Sequence, residues 1–216
     1  MATYTIEQVL ALAPVIPVLA IDDIDDAVPL AQALVRGGLP VLEVTLRTPQ
    51  AVSIIELLKR EVPDAIVGAG TVLNCNDLAR VVAVGADFVV TPGCTPALLQ
   101  AAAQLALPFM PGIATASELM ACLEQGFSAV KFFPAEAAGG VALLKSLGGP
   151  FPAATFCPTG GIGPDNLADY LALPAVKTVG GSWLTPKSLV ARKDWPAISQ
   201  LASAARDLVA AIRAAQ

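Results

Sequence analysis

The chain has 216 residues, 55% of them hydrophobic and only 14% charged, so it can bury a large core as one domain. It contains no histidine and carries a net charge of −5 without a basic block, which excludes imidazole catalysis and argues against a nucleic-acid partner. Four cysteines, Cys75, Cys94, Cys122 and Cys157, are scattered without Cys-x-x-Cys spacing, as expected of reduced thiols in a cytoplasmic protein rather than disulfides or zinc ligands.

Near the N-terminus, Val9 to Ala20 is apolar enough to resemble a signal peptide. Glu7 precedes it, no basic residue does, and Pro14 and Pro17 interrupt it, so that reading is set aside. No apolar run reaches the ~18 residues of a membrane span. Thr5 to Leu12 instead predicts a short helix with Thr5 as N-cap and Gln8 completing a capping box. Val15 to Ala20 follows as a buried strand. The acidic turn Asp22–Asp26, too loosely spaced for a calcium loop, starts a helix to Arg36 that Gly37-Gly38 ends.

Val41 to Leu46 is the next strand, and Thr48-Pro49 starts a helix that runs to Arg60. Strands are then expected at Ala65 to Thr71, Phe88 to Thr91, Phe109 to Gly112, Ala129 to Phe133, Thr155 to Thr159 and Val176 to Gly180. Helices are expected between them, at Asn76 to Val84, Pro96 to Ala106, Ala116 to Gln125, Val141 to Leu147 and Pro164 to Leu171. Two more helical stretches close the chain. Near-continuous apolar strands alternating with helices imply a parallel sheet covered by helices. Eight such units imply an α/β fold of the (β/α)8 TIM-barrel class, with an extra N-terminal helix and residues 1–216 in a single domain. An open doubly wound sheet is the alternative, weakened because no strand leads into a complete Gly-x-Gly-x-x-Gly turn.

Polar residues within these strands mark a site. In Val41-Leu42-Glu43-Val44-Thr45-Leu46-Arg47 the polar residues share one parity and the others are aliphatic. The aliphatic face packs on helices, so Glu43 points into the barrel and Arg47 lies at its mouth. The same alternation puts Ala69 and Thr71 inward on the third strand, Lys131 and Phe133 on the sixth, and Cys157 and Thr159 on the seventh. Lys177 and Asp87, at the beginnings of their strands, read as a solvated lysine and a turn group. Trp183 and Trp195 read as packing residues.

Lys131, inside the run Ala129-Val130-Lys131-Phe132-Phe133-Pro134, has three readings. It snorkels to water, it forms a structural ion pair with Glu43, or it is an amine nucleophile. The third reading needs a neutral amine, which an ordinary lysine provides in fewer than ~1 of 1,000 molecules at pH 7. Burial and a nearby cation such as Arg47 both favour that form. A neutral amine attacks a ketone to give an imine, an electron sink, and a carboxylate such as Glu43 must then move the protons. Arg47 offers a planar fork for a carboxylate, and Thr71 a hydroxyl for the same group. Thr159-Gly160-Gly161-Ile162-Gly163 and Gly180-Gly181-Ser182 follow the last two strands, where such barrels hold phosphate on backbone N–H groups.

Four segments, Val41 to Thr48, Val67 to Val72, Lys131 to Glu136 and Cys157 to Ile162, resemble 2-keto-3-deoxy-6-phosphogluconate (KDPG) aldolases in order and spacing. Some members of that family also cleave 4-hydroxy-2-oxoglutarate (KHG). The resemblance covers nearly the whole chain. It implies a metal-free, cofactor-free class I aldolase of the Entner–Doudoroff pathway, a cytoplasmic homotrimer that binds small phosphorylated keto acids. It further implies Lys131 as Schiff-base lysine, Glu43 as acid/base, and Arg47 and Thr71 as contacts of the pyruvate carboxylate. Phe133 and Pro92 would line that pocket, Thr159 would bear on stereoselectivity, and Gly160, Gly161, Gly181 and Ser182 would hold the phosphate. Two rivals stay open: a barrel isomerase or decarboxylase that forms no imine, and a non-catalytic phosphosugar-binding protein.

Overall fold

Helix α1 (Ile6–Leu12) opens the chain in a computed structural model that describes residues 4–216. Thr5 caps it, and the Thr5–Gln8 capping box is closed in both directions. Beyond α1, the alternation that the apolar runs predict is present. It comprises β1 (Ile16–Leu19), α2 (Ile24–Arg36), β2 (Val41–Thr45), α3 (Ala51–Glu61), β3 (Ile66–Gly70), α4 (Cys75–Ala83) and β4 (Phe88–Val90). Next come α5 (Pro96–Ala103), β5 (Phe109–Met110), β6 (Gly112–Ile113), α6 (Ala116–Glu124) and β7 (Ala129–Phe132). The C-terminal part holds α7 (Ala135–Ala138), α8 (Gly140–Gly148), β8 (Thr155–Pro158), α9 (Leu167–Leu171), β9 (Gly180–Gly181), α10 (Lys187–Ala191) and α11 (Trp195–Ala214).

All strand pairs among the described residues are parallel. They form one sheet in the order β5-β4-β3-β2-β1-β9 and a second in the order β6-β7-β8. The expected fifth strand is split at Pro111, which lacks an N–H, and its two halves belong to different sheets. The expected strand Val176 to Gly180 is reduced to an isolated bridge at Val176 and the two residues of β9. Its middle is held otherwise: Thr178 donates to the Pro14 carbonyl at 3.2 Å, and Ile16 N–H donates to the Val179 carbonyl at 2.9 Å. A single bridge, Thr159 to Gly180, joins the end of β8 to β9.

Two helix starts are corrected. Thr48-Pro49 does not start α3; these residues form a turn in which Ala51 N–H reaches the Thr48 carbonyl, and the helix begins at Ala51. Gln50 is drawn away, its side chain accepting from Ile24 N–H at 3.1 Å at the start of α2. Helix α9 begins at Leu167 rather than Pro164, because Asn166 ties up the intervening loop.

Two apolar layers follow from strand alternation. The outer one packs Leu42, Val44, Val67, Ala69, Val130 and Phe132 against the helices. The inner one contains Ile16, Val41, Ile66, Phe88, Val90, Met110, Ala129 and Cys157, together with Val9 and Leu10 of α1. Helix α1 therefore closes the end of the interior at which the strands begin. Burying those two side chains contributes about 1.5–3 kcal/mol each. At that end Asp87 accepts from Val67 N–H at 2.8 Å and pairs with Lys59 at 2.6 Å, the turn role expected of it. Lys177 is exposed, also as expected.

Ala69 is a correction. It packs outward, and the inner positions of β3 are Gly68 and Gly70, in register with Glu43 and Thr45. Both glycines make room for neighbours. A Cβ on Gly68 would lie 2.4 Å from the Phe88 ring, and one on Gly70 would lie 2.2 Å from Glu43 Oε1.

Candidate active site

Strands β2 and β7 bring a carboxylate and an ammonium group together inside the curled sheet. Lys131 Nζ donates to Glu43 Oε1 at 2.9 Å, with the two residues 4% and 1% exposed and 88 positions apart in sequence. The Lys131 side chain does not snorkel. Its Nζ lies 5.4 Å from the centre of the Phe133 ring, so the ammonium faces an aromatic surface as well as a carboxylate. Desolvating both charges consumes much of what their attraction returns, so such a pair is weak evidence of a purely stabilising role.

Cys157 stands beside Lys131 in the β7–β8 register. Burial, opposed in part by the Lys131 charge, pushes its thiol up to about 12, so it remains neutral next to the pair. Thr159 is buried, and its Oγ1 has no hydrogen-bond partner among the described residues. The hydroxyl approaches β9 where Gly180 has no side chain; a Cβ there would lie 2.3 Å from it. Thr45, by contrast, is fully engaged, donating to the Leu19 carbonyl at 2.7 Å and fixing the end of β2 against β1.

The other expected residues lie where the strands end. Arg47 follows β2 and is exposed, with no ion pair among the described residues. Thr71 follows β3, half-buried. Its backbone is left-handed, φ 57°, so strand parity does not govern its side chain. Pro92 follows β4 in a turn anchored by Thr91, whose Oγ1 accepts from Gly112 N–H at 3.0 Å. Gly160 and Gly161 follow β8 with φ of 106° and 78°, a pair of left-handed residues that glycine alone adopts readily. The N–H groups of Gly161, Ile162 and Ser182 donate to no protein acceptor among the described residues. Gly181 underlies the Trp183 ring, where a Cβ would lie 1.8 Å from Cζ3.

Sequence reasoning missed the residues that hold this glycine loop. Asn166 accepts from Gly163 N–H at 2.9 Å and donates to the Gly161 carbonyl at 3.1 Å. Glu136 N–H donates to the Gly160 carbonyl at 3.1 Å, while its carboxylate accepts from buried Tyr170. The Asn three residues after Gly163 is an ordinary turn signal that could have been read. The Tyr170–Glu136 contact has no local signature.

This site can supply an amine, a proton carrier 2.9 Å from it, and unpaired N–H donors at a neighbouring strand end. The family model described as "Aldolase: KDPG and KHG aldolase" matches residues 6–201. The chain belongs to that family. The KHG/KDPG aldolase of Escherichia coli K12 is 52% identical over 196 residues, 91% of this chain and 92% of that protein. Among solved structures, the KDPG aldolase of Legionella pneumophila, which holds pyruvate as a covalent carbinolamine, superposes with a TM-score of 0.92 at 48% identity. It covers 94% of this chain and 98% of the other. The Zymomonas mobilis ZM4 enzyme with 3-phosphoglycerate gives a TM-score of 0.87 at 48% identity, with 93% and 94% covered.

Within this KDPG and KHG aldolase chain, Gly70 is a sensitive point, since its absent Cβ makes room for Glu43. Gly70→Ala should destabilise by about 1–3 kcal/mol in urea unfolding and lower kcat at least ~10-fold. Wild-type stability together with wild-type kcat would show that Glu43 has slack the geometry denies it.

Proposed function

We propose that this protein is a class I aldolase, cleaving 2-keto-3-deoxy-6-phosphogluconate to pyruvate and glyceraldehyde 3-phosphate, and KHG to pyruvate and glyoxylate. The observation that carries the proposal is the buried 2.9 Å contact between Lys131 and Glu43 in a chain of this family. Moving one proton along that hydrogen bond leaves a neutral amine beside a carboxylic acid, the form in which lysine can attack.

Lys131 Nζ then adds to substrate C2, and the proton held by Glu43 leaves with the C2 oxygen as water, giving a cationic imine and restoring the Glu43 carboxylate. The C3–C4 bond breaks as its electrons flow into that cation, while Glu43 takes the C4 hydroxyl proton directly or through water. Glyceraldehyde 3-phosphate departs, the enamine is protonated at C3, and water releases pyruvate and the lysine. Because Glu43 gives and takes protons in one cycle, a bell-shaped pH dependence is expected.

The remaining assignments rest on position. Arg47 and Thr71 would bind the keto-acid carboxylate, with Pro92 and Phe133 lining that pocket. Thr159, whose buried hydroxyl lacks a partner among the described residues, would meet the substrate near C4. Gly160, Gly161, Gly181 and Ser182 would hold the phosphate, a reading supported by free N–H groups at Gly161, Ile162 and Ser182. We read the parallel sheet as a closed (β/α)8 barrel in one domain, with β5 and β6 as halves of one strand. The Thr159–Gly180 bridge supports closure. A trimer working in the cytoplasm with no metal or cofactor completes the proposal.

The direct test follows pyruvate release from each of the two substrates in a lactate dehydrogenase-coupled assay. Absence of pyruvate from both would reject the activity. Arg47→Ala should weaken pyruvate binding by about 10–100-fold, the loss of a charge-assisted hydrogen bond, and leave glyceraldehyde 3-phosphate binding nearly unchanged. Equal effects on the two products would reject its role.

A further inference from the structure

Two cysteines outside the site lie together although 28 residues separate them in sequence. Cys94 Sγ and Cys122 Sγ are 3.6 Å apart. Cys94 is half-buried in the turn between β4 and α5, and Cys122 is fully buried on α6. A surface cleft lined by Cys94, Leu99, Ser117, Glu118 and Ala121 gives small solutes access to the Cys94 side. The other two thiols differ in kind. Cys75 is exposed on α4, and Cys157 is sealed in the interior.

We propose that Cys94 and Cys122 form a reversible dithiol–disulfide couple that staples the turn after β4 to helix α6, with a hydroperoxide as oxidant. The sulfurs must close by about 1.6 Å to reach bonding distance near 2.05 Å. The turn can take up that movement, because the space beside Gly93 is open; a Cβ there would meet nothing within 4 Å.

Chemical roles follow from the hydrogen bond. Either sulfur can donate in this contact; it lowers the Cys94 thiol below its ordinary range against the opposing effect of burial, and because the cleft opens on Cys94, Cys94 is the attacking sulfur. Its thiolate attacks the peroxide oxygen, giving a sulfenic acid and an alcohol or water as the O–O bond is reduced by two electrons. Cys122 then attacks the sulfenic sulfur. Its proton leaves with the displaced hydroxide as water, and the disulfide remains. A thiol reductant reverses the step. Pro92 lies two residues before Cys94, so the staple forms at the edge of the proposed pyruvate pocket.

Trypsin alone leaves both cysteines on one fragment, Val81–Lys131, which has no internal lysine or arginine. Adding a glutamate-specific protease separates Val81–Glu118 from Leu119–Glu124. The reduced protein is exposed to a few equivalents of hydrogen peroxide, blocked with iodoacetamide under denaturing conditions, digested with both proteases and mapped by mass. The expected product is those two peptides joined by a bond that dithiothreitol breaks, with Cys75 and Cys157 alkylated. Oxidation should raise the unfolding midpoint by roughly 5–10 °C, since the disulfide closes a long loop in the unfolded chain. In Cys122→Ser that shift should vanish and a dimedone-reactive sulfenic acid should accumulate on Cys94. Recovery of Cys94 and Cys122 as alkylated thiols, or of Cys94 as a sulfinic acid with Cys122 free, would overturn the proposal.

Discussion

Replacing Lys131 with methionine should lower kcat for KDPG cleavage at least ~10^3-fold, because among the described residues it is the one amine paired with Glu43. Methionine keeps the length of the side chain and removes the amine. The substitution also leaves a buried carboxylate without its partner, a change that costs about 3–5 kcal/mol when an interior pair is broken. Loss of activity must therefore be separated from loss of fold. The double variant Lys131→Met, Glu43→Gln removes both charges and should regain most of the stability while remaining inactive. Urea unfolding and the pyruvate-release assay, run on the single and double variants, measure the two effects independently. An isomerase or decarboxylase that forms no imine would keep its turnover in the single variant.

Glu43→Gln carries the second large effect. Glutamine fills the same space beside Gly70 and still accepts a hydrogen bond from Lys131, but it cannot carry a proton. A fall in kcat of about 10^2–10^4-fold is expected, the usual contribution of a positioned acid/base group. Exchange of pyruvate methyl protons in deuterated water isolates this step, since it needs imine formation and proton transfer at C3 but no aldehyde. Exchange should slow by a similar factor in Glu43→Gln. Wild-type exchange there would assign the proton transfer to another group. A protein that only binds phosphosugars would show no exchange in any form.

What the sequence made legible depended on whether alternation had side chains to write with. In β2 the residues Val41, Leu42, Val44 and Leu46 mark the outer and inner faces clearly enough that Glu43 and Lys131 could be placed in one interior, and they meet at 2.9 Å. In β3 the inner positions are Gly68 and Gly70, which contribute no side chain. Counting by twos from Thr71 therefore puts Ala69 on the inner face, whereas it packs against helices. Thr71 lies past the end of that strand in a left-handed conformation, where counting by twos no longer applies.

Other failures have similar physical origins. The apolar run Val176 to Gly180 is held by the Thr178 hydroxyl on the Pro14 carbonyl and by Ile16 N–H on the Val179 carbonyl rather than by a full ladder, so its hydropathy overstates its strand character. Thr48-Pro49 has the composition of a helix start, yet Gln50 is engaged by Ile24 N–H, and the helix begins only at Ala51. Contacts such as Tyr170 to Glu136, or Cys94 to Cys122, join residues 34 and 28 positions apart on different helices or loops. No local pattern encodes such meetings. The topology creates them.

The central claim is that Lys131 forms the imine. Incubating the protein with pyruvate and sodium borohydride reduces any imine to a stable secondary amine, which peptide mass mapping then locates. A reduced pyruvyl group on Lys131, absent when borohydride or pyruvate is omitted, is the predicted result. An adduct on another lysine, or inactivation with no adduct at all, would contradict it.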